Sequence, residues 1–237
     1  MRWLPQAELA TDPGSPGWPN EDFAAVAPGA AVLLDGCTTT PRQADTGCVH
    51  GVAWYARTLG TDLLAAITAE PRVTLTEALA AAIEQVRDRH KGTCDLTLRT
   101  TPAATVTAVR AEPEGIGYLA LADSSIAADF GPGGVLVITD AHRAAKTDPD
   151  AASQATTGII PRDGLRGVAL LSDGATRITD LFYLLDWPGI MEVIRGQGPA
   201  ALIARVRGAE DDDPGCARWP RYKDRDDATA LYWAWRS

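Results

Sequence analysis

Apolar positions recur along this chain in two rhythms. Phe23 to Val26 and Ala31 to Leu34 are short apolar runs joined by Ala27-Pro28-Gly29-Ala30, where Gly29 can take positive φ, so they predict two strands joined by a tight turn. The second run stops at Asp35-Gly36. From Cys48 to about Leu64 the spacing becomes helical, with Val52, Tyr55 and Leu59 on one face. A second helix is marked by Thr74 and Glu77 in capping-box spacing, followed by Leu75, Leu79, Ile83 and Val86, and should end near His90-Lys91-Gly92. Between Cys94 and Asp140 apolar segments alternate with turn residues, at Leu96 to Leu98, Ala104 to Val109, Gly117 to Ala122, Ala127 to Phe130 and Val135 to Thr139. This pattern predicts an antiparallel meander.

The polar stretch Lys146 to Thr157 reads as a mobile connection, and Val168 to Leu171 as a strand that again ends in an Asp-Gly step, Asp173-Gly174. Helices are expected at about Thr179 to Leu185 and Pro188 to Arg207, an exposed acidic loop at Glu210-Asp211-Asp212-Asp213, and a closing strand over Ala228 to Trp235. Residues 1–17, rich in proline and glycine, read as an irregular lead-in to a single domain over 18–237. Helices early and late with strands between them argue for the α+β class, with two sheets covered by helices on their outer faces.

Composition narrows the function. Hydrophobic residues make up 46% of the 237 positions, enough for a core and too many for disorder. A net charge of −9, from 22 Lys and Arg against 31 Asp and Glu, gives no basic footprint for nucleic acid or anionic lipid. The N-terminus lacks a signal-peptide core and no apolar stretch is long enough to span a bilayer, so the expectation is a soluble cytoplasmic protein without nucleic-acid or membrane partners. Cys37, Cys48, Cys94 and Cys216 are scattered without a Cys-x-x-Cys, which argues against a zinc ribbon or a dithiol redox motif.

The informative recurrence is of carboxylates where apolar strands begin or end: Glu21-Asp22, Asp35-Gly36, Asp173-Gly174 and Asp226-Asp227. Asp-Gly alone is ordinary turn chemistry. Several such pairs brought together would repel unless a cation neutralised them, and oxygen donors favour hard ions such as Mg²⁺ or Mn²⁺.

With Trp18-Pro19-Asn20-Glu21-Asp22-Phe23, Val32-Leu33-Leu34-Asp35-Gly36, Leu119-Ala120-Leu121-Ala122-Asp123-Ser124, Ala169-Leu170-Leu171-Ser172-Asp173-Gly174 and Arg225-Asp226-Asp227-Ala228, the chain resembles the metal-dependent protein phosphatases of type 2C. The resemblance implies a four-layer α-β-β-α sandwich, two antiparallel sheets flanked by helix pairs, with a binuclear Mn²⁺ or Mg²⁺ centre. By position, Asp35 would bridge the metals, the Gly36 carbonyl would bind one of them, and Asp173 and Asp226 would hold the other. Asp123 with Asp173 would hold a weaker third, while Glu21, Asp22 and Asp227 would act through waters or from beside the ligands. The implied activity is hydrolysis of phosphoserine or phosphothreonine on proteins by a metal-bridging water. A catalytically weak regulatory protein on the same scaffold and a phosphatase of small phosphorylated metabolites are the alternatives.

The departures from the family pattern motivate those alternatives. Gly17 stands where the family has its phosphate-binding arginine, and Cys37-Thr38-Thr39 where it has two glycines and a histidine that acts as general acid. Arg42, Arg177 and His50 are the candidate substitutes for that general acid, and the phosphate-binding residue is left unassigned.

Overall fold

The computed structural model describes residues 5–37, 46–140 and 148–235; Thr38, Thr39 and Arg42 therefore lie outside the described residues. In chain order the strands are β1 (Pro5–Asp12), β2 (Phe23–Ala27), β3 (Ala30–Leu34), β4 (Gly36–Cys37), β5 (Ala103–Ala104), β6 (Val106–Ala111), β7 (Gly115–Leu121), β8 (Ser125–Asp129), β9 (Val135–Ile138), β10 (Thr156–Pro161), β11 (Gly167–Leu171) and β12 (Ala228–Trp235). The helices are α1 (Val52–Ala69), α2 (Leu75–His90), α3 (Asp173–Asp180), α4 (Trp187–Gln197) and α5 (Pro199–Asp211). The chain divides into two compact units, one of Glu21–Ser124 with Thr139–Pro161, the other of the residues up to Asn20, Ser125–Ile138 and Arg162 onward. They are called here the α1–α2 unit and the α3–α5 unit.

The α1–α2 unit is built on an antiparallel sheet ordered β10-β7-β6-β3-β2, with β4 and β5 paired beside it. The expected β2–β3 hairpin is present, and Gly29 closes its turn at φ 83°. Val32 and Leu34 of β3 pack with Tyr55, Leu59 and Leu63 of α1 and with Leu79, Ile83 and Val86 of α2. Gly60 lets α1 press onto this layer, since a Cβ there would meet Leu34 Cδ1 at 2.8 Å and the Phe23 ring. The capping box forms as read: Thr74 Oγ1 accepts from Glu77 N–H at 3.1 Å and Glu77 Oε2 from Thr74 N–H at 2.9 Å, satisfying two backbone donors at the start of α2. Helix α1 starts at Val52, not Cys48, because Gly51 at φ 77° precedes it and Thr46 Oγ1 draws the Cys48 N–H into a local turn at 3.1 Å.

The α3–α5 unit carries the sheet β1-β12-β11-β8-β9, with Ala169 and Leu171 of β11 and Ala228 and Ala230 of β12 packed on Ile178, Phe182, Ile190, Ile194, Leu202 and Val206. The lead-in expected to be irregular contains β1, which pairs with β12 along its whole length, Pro5 opposite Trp235 through Asp12 opposite Ala228. Its register rests on backbone pairing at a sheet edge, and Gln6 to Leu9 are exposed, so no apolar run announces it. The expected helix over Pro188–Arg207 is two helices, broken at Gly198 (φ 86°) before Pro199.

Other expectations are corrected too. Leu96 to Leu98 is a turn, because the Asp95 carboxylate caps Thr97 through its N–H at 3.0 Å and its hydroxyl at 2.6 Å. The segment read as a meander divides between the sheets, β6 and β7 in one and β8 and β9 in the other. The described part of the supposed mobile connection holds a short 3-10 helix at Pro149–Gln154 and enters β10. The α+β class with two large antiparallel sheets and flanking helices holds, with a helix pair in one unit and three helices in the other. Among the described residues, no helix is long and apolar enough to cross a membrane.

Candidate metal centre

In the α1–α2 unit the candidate acids gather at one end of the sheet. Glu21 and Asp22 lead directly into β2, and because Phe23 pairs with Leu34, this end of β2 adjoins the point where β3 runs out into Asp35. Gly36 is pressed against the same segment: a Cβ there would meet the Glu21 carbonyl oxygen at 2.7 Å and Val52 Cγ1 at 2.6 Å. Asp22 is buried, 8% exposed, and Asp35 is half-buried. The Asp35 backbone is held on both sides by one residue, its carbonyl accepting from Thr105 N–H at 2.8 Å and its N–H donating to Thr105 Oγ1 at 3.2 Å. Thr105 Oγ1 shares a hydrogen bond of 2.5 Å with Ser124 Oγ, so the Asp35 corner and the turn carrying exposed Asp123 are tied together through buried hydroxyls.

That turn contains a residue missed by the sequence reading. Ala122 has φ 70°, a left-handed conformation costly for a residue with a Cβ, and Asp140 holds it there. Asp140 Oδ2 accepts from Ala122 N–H at 3.2 Å, and Asp140 N–H donates to the Ala122 carbonyl at 3.1 Å. The signal was present, because Asp140 follows an apolar strand just as Asp35 does.

In the α3–α5 unit, Asp173 is the first residue of α3, straight after β11, where a carboxylate is favoured by the helix dipole. Ser172 ties this corner to β12, its Oγ accepting from Thr229 N–H at 2.9 Å and its N–H donating to the Thr229 carbonyl at 3.0 Å. Gly174 lies directly against the Asp227 carbonyl, leaving no room for a side chain, so Asp173 and the Asp226-Asp227 pair sit at one corner. Asp227 Oδ1 accepts from Gly14 N–H at 2.8 Å. Both oxygens of Asp226 are engaged by cations: Oδ2 by Arg177 at 2.8 Å and Oδ1 by Lys223 at 2.6 Å. Arg177 also pairs with buried Glu210 at 3.0 Å, Glu210 with Arg207 at 2.7 Å, and Arg207 with Asp12 at 2.6 Å.

This network revises two expectations. Arg177, a candidate stand-in for the missing general acid, is committed to Asp226 and Glu210. The acidic run read as an exposed loop is partly interior: Glu210 lies in the last turn of α5, buried in ion pairs, and Asp213 is buried with Arg221 at 2.8 Å, so that of the four acids Asp211 and Asp212 are the exposed ones. Backbone N–H donors of Arg218 and Trp219, the Arg221 guanidinium and the Ala217 N–H hold the Asp213 carboxyl down at about 2 despite burial. Gly17 has its own local reason: Trp18 N–H closes on the Ser15 carbonyl at 3.3 Å, and Gly17 occupies the φ 92° position of that turn after Pro16. His50 stacks on Trp54 with ring centroids 4.1 Å apart and meets His90 at 5.2 Å.

The donors gathered in each unit are carboxylates and a backbone carbonyl, a set that fits Mg²⁺ or Mn²⁺ and not a soft metal. Asp226 Oδ1 accepts from both Lys223 and the Asp227 N–H at 3.2 Å, so the lone pair left for a metal is on Oδ2, which accepts only from Arg177 among the described contacts.

Strands that run out into carboxylates, on an α+β scaffold of two antiparallel sheets, are what the geometry offers for comparison with known proteins. The family model described as Protein phosphatase 2C matches residues 15–196, and the chain belongs to that family of metal-dependent protein phosphatases. Among solved structures, an arginine-to-alanine variant of a bacterial serine phosphatase is similar over 100% of both chains, with a TM-score of 0.71 at 15% identity. The PPM Ser-Thr phosphatase MsPP from Mycobacterium smegmatis, in complex with cacodylate, is similar over 97% of each chain, with a TM-score of 0.64 at 19% identity. The catalytic domain of the serine threonine protein phosphatase PstP, in complex with 2 manganese ions, is similar over 100% of both chains, with a TM-score of 0.64 at 14% identity. At these identities the likeness shows the fold. No curated protein matches the chain.

Proposed function

We propose that this phosphatase hydrolyses phosphoserine or phosphothreonine on proteins, with Asp35, the Gly36 carbonyl, Asp173 and Asp226 as ligands of two Mn²⁺ or Mg²⁺ ions. Asp123 is assigned to a weaker third ion. The observation that carries this reading is the double anchoring of Asp35: Thr105 fixes its backbone from both sides, so the side chain leaves the strand end in a set direction. The ions, when bound, supply charge to offset the phosphate and acidity to the attacking water. Glu21 and Asp22, at the same end of the sheet, accept hydrogen bonds from water and orient it. Arg177 is a positioning residue, holding one oxygen of Asp226 from α3. The net charge of −9 gives no basic surface for nucleic acid or anionic lipid, so charge on the substrate phosphate is left for the bound ions to offset.

The test is hydrolysis by chelator-stripped protein of phosphoserine and phosphothreonine peptides and of p-nitrophenyl phosphate, with Mn²⁺ or Mg²⁺ returned. Metal-dependent turnover of the peptides, lost in Asp173→Asn, is the expected result. Turnover of the aryl phosphate with no peptide hydrolysis would assign the enzyme to small phosphoesters instead.

One observation favours a second reading, a phosphatase-fold regulator with weak turnover: Lys223 and Arg177 already neutralise both oxygens of Asp226. Mn²⁺ binding measured calorimetrically without accompanying hydrolysis would select it.

A further inference from the structure

Apart from the acids, the α1–α2 unit assembles a cluster of sulfur and imidazole donors to which the phosphatase reaction gives no task. Cys48 Sγ and Cys94 Sγ, separated by 46 positions in sequence, lie 3.1 Å apart. His90 completes the group, and one ligating atom from each of the three residues lies within 4.8 Å of the others.

The state of His90 is the second, independent observation. The residue is 1% exposed, its Nδ1 lies 2.9 Å from the Val86 carbonyl one turn back in α2, and its Nε2 is buried with no hydrogen-bond partner. A carbonyl can only accept, so Nδ1 carries the proton and Nε2 presents a lone pair, the tautomer assigned from that bond. An imidazole that donates one N–H to a carbonyl and turns its other nitrogen to an ion is the usual arrangement of a metal-ligating histidine. An unligated buried nitrogen would otherwise go unsatisfied, at a cost.

The frame around the sulfurs is set. His90 is the last residue of α2, Cys94 N–H donates to its carbonyl at 3.2 Å, and Asp95 N–H bonds the Gly47 carbonyl at 2.8 Å, drawing the two cysteine segments together. His50 N–H points at Cys48 Sγ at 3.4 Å. Burial and the neighbouring thiol push Cys48 up. At Cys94 burial opposes ionisation, but bonds from Cys48, the Thr93 hydroxyl and the Val49 and His50 amides outweigh it and bring the thiol below its ordinary range.

We propose that Cys48, His90 and Cys94 bind one zinc ion that clips the segment before α1 to the end of α2, with His50 as the fourth ligand. Two sulfurs and two imidazoles are a donor set for tetrahedral Zn²⁺ and a poor one for Mg²⁺ or Mn²⁺. His50 lies just outside the three-residue group, its ring stacked on Trp54 and 5.2 Å from that of His90, and its buried Nε2, which has no hydrogen-bond partner, reaches the ion by a turn of the ring. Two thiolates about 2.3 Å from one tetrahedral ion sit roughly 3.8 Å apart, so the sulfurs open by a little over half an ångström on binding. Binding releases the two thiol protons to solvent, while His90 uses the lone pair it already presents.

The experiment is a Co²⁺ titration of the reduced, chelator-stripped full chain, read by absorption and independent of phosphatase activity. One equivalent should give thiolate-to-cobalt charge-transfer bands and the visible bands of a tetrahedral centre. Zn²⁺ should erase them, and an excess of Mg²⁺ should leave them unchanged. Cys94→Ser should weaken binding by about 100-fold or more, and His50→Asn by roughly 10-fold. The wild-type spectrum decides the matter even where a variant folds poorly. Absence of the charge-transfer bands in the reduced wild type overturns the proposal, as does their persistence in Cys94→Ser. Conversion of the pair to a Cys48–Cys94 disulfide on air oxidation, from a reduced chain that takes up neither Co²⁺ nor Zn²⁺, overturns it in favour of a thiol pair.

Discussion

Asp35 follows β3 directly and Asp226 stands two residues ahead of β12, yet the two acids are fixed by different means. Asp35 is placed through its backbone, held by the N–H and hydroxyl of Thr105 while Gly36 is wedged against Glu21. Asp226 is placed through its carboxylate, by Arg177 and Lys223 and, behind them, by the chain of Glu210, Arg207 and Asp12. A strand end fixes an acid through geometry that charge substitutions elsewhere leave intact. An ion network fixes it through partners whose loss leaves a buried charge behind. The two units should therefore fail differently when perturbed.

The largest stability effect is expected in the network. Arg177→Met removes a guanidinium 12% exposed and leaves Glu210, 1% exposed, with Arg207 as its cation. A loss of about 3 kcal/mol in urea unfolding is expected, at the low end of the cost of breaking a buried pair because Arg207 still holds the other Glu210 oxygen. An unchanged midpoint would mean that the network does not hold the Asp226 corner.

The backbone-fixed corner should respond to backbone chemistry instead. Ala122→Gly relieves the left-handed strain beside Asp123 and should stabilise the protein by up to about 1 kcal/mol, less the entropy glycine adds to the unfolded chain. Destabilisation by the same amount would show that the Asp140 clamp requires the alanine side chain.

Acid should act on the network unit. The Asp213 carboxyl is lowered from 3.8 to about 2, so its contribution is complete above the unfolded value and drains away as pH falls from about 4 to 2. Asp213→Asn should flatten the loss of stability over that window, followed by urea unfolding at stepped pH; an unaltered slope would contradict the assignment. The smallest stability effect belongs to Lys223→Ala, at a half-exposed side chain, within about 0.5 kcal/mol of wild type. Its informative readout is Mn²⁺ affinity, which should rise because a competing cation has gone from Asp226.

The same contrast explains what could be read from the chain. The strand-end acids Asp35 and Asp173, the β2–β3 turn and the Thr74 cap were legible because each is written in adjacent residues. The network behind Asp226 was not, because apart from nearby Lys223 its members Arg177, Glu210 and Asp12 come from separated segments and meet only through the fold. Strand β1 was hidden because its pairing is backbone chemistry at an exposed edge. The cysteines looked unrelated because Cys48 and Cys94 are joined by the length of α1 and α2, which no spacing rule spans. Asp140 follows an apolar run as Asp35 does, but Ala141 stands after it where Asp35 and Asp173 have a glycine, so it lacked the Asp-Gly mark.

The most direct test of the central claim, that strand-end carboxylates make this chain a divalent-metal phosphatase, is the initial rate of phosphate release by chelator-stripped wild type and Asp35→Asn as Mn²⁺ is returned. The account predicts a rate that rises from near zero with metal in wild type and stays at least about 100-fold lower in Asp35→Asn, beyond the roughly 10–100-fold typical for loss of a residue supporting a metal ligand. Equal rates in the two proteins at saturating Mn²⁺, or full activity in wild type without metal, would contradict it.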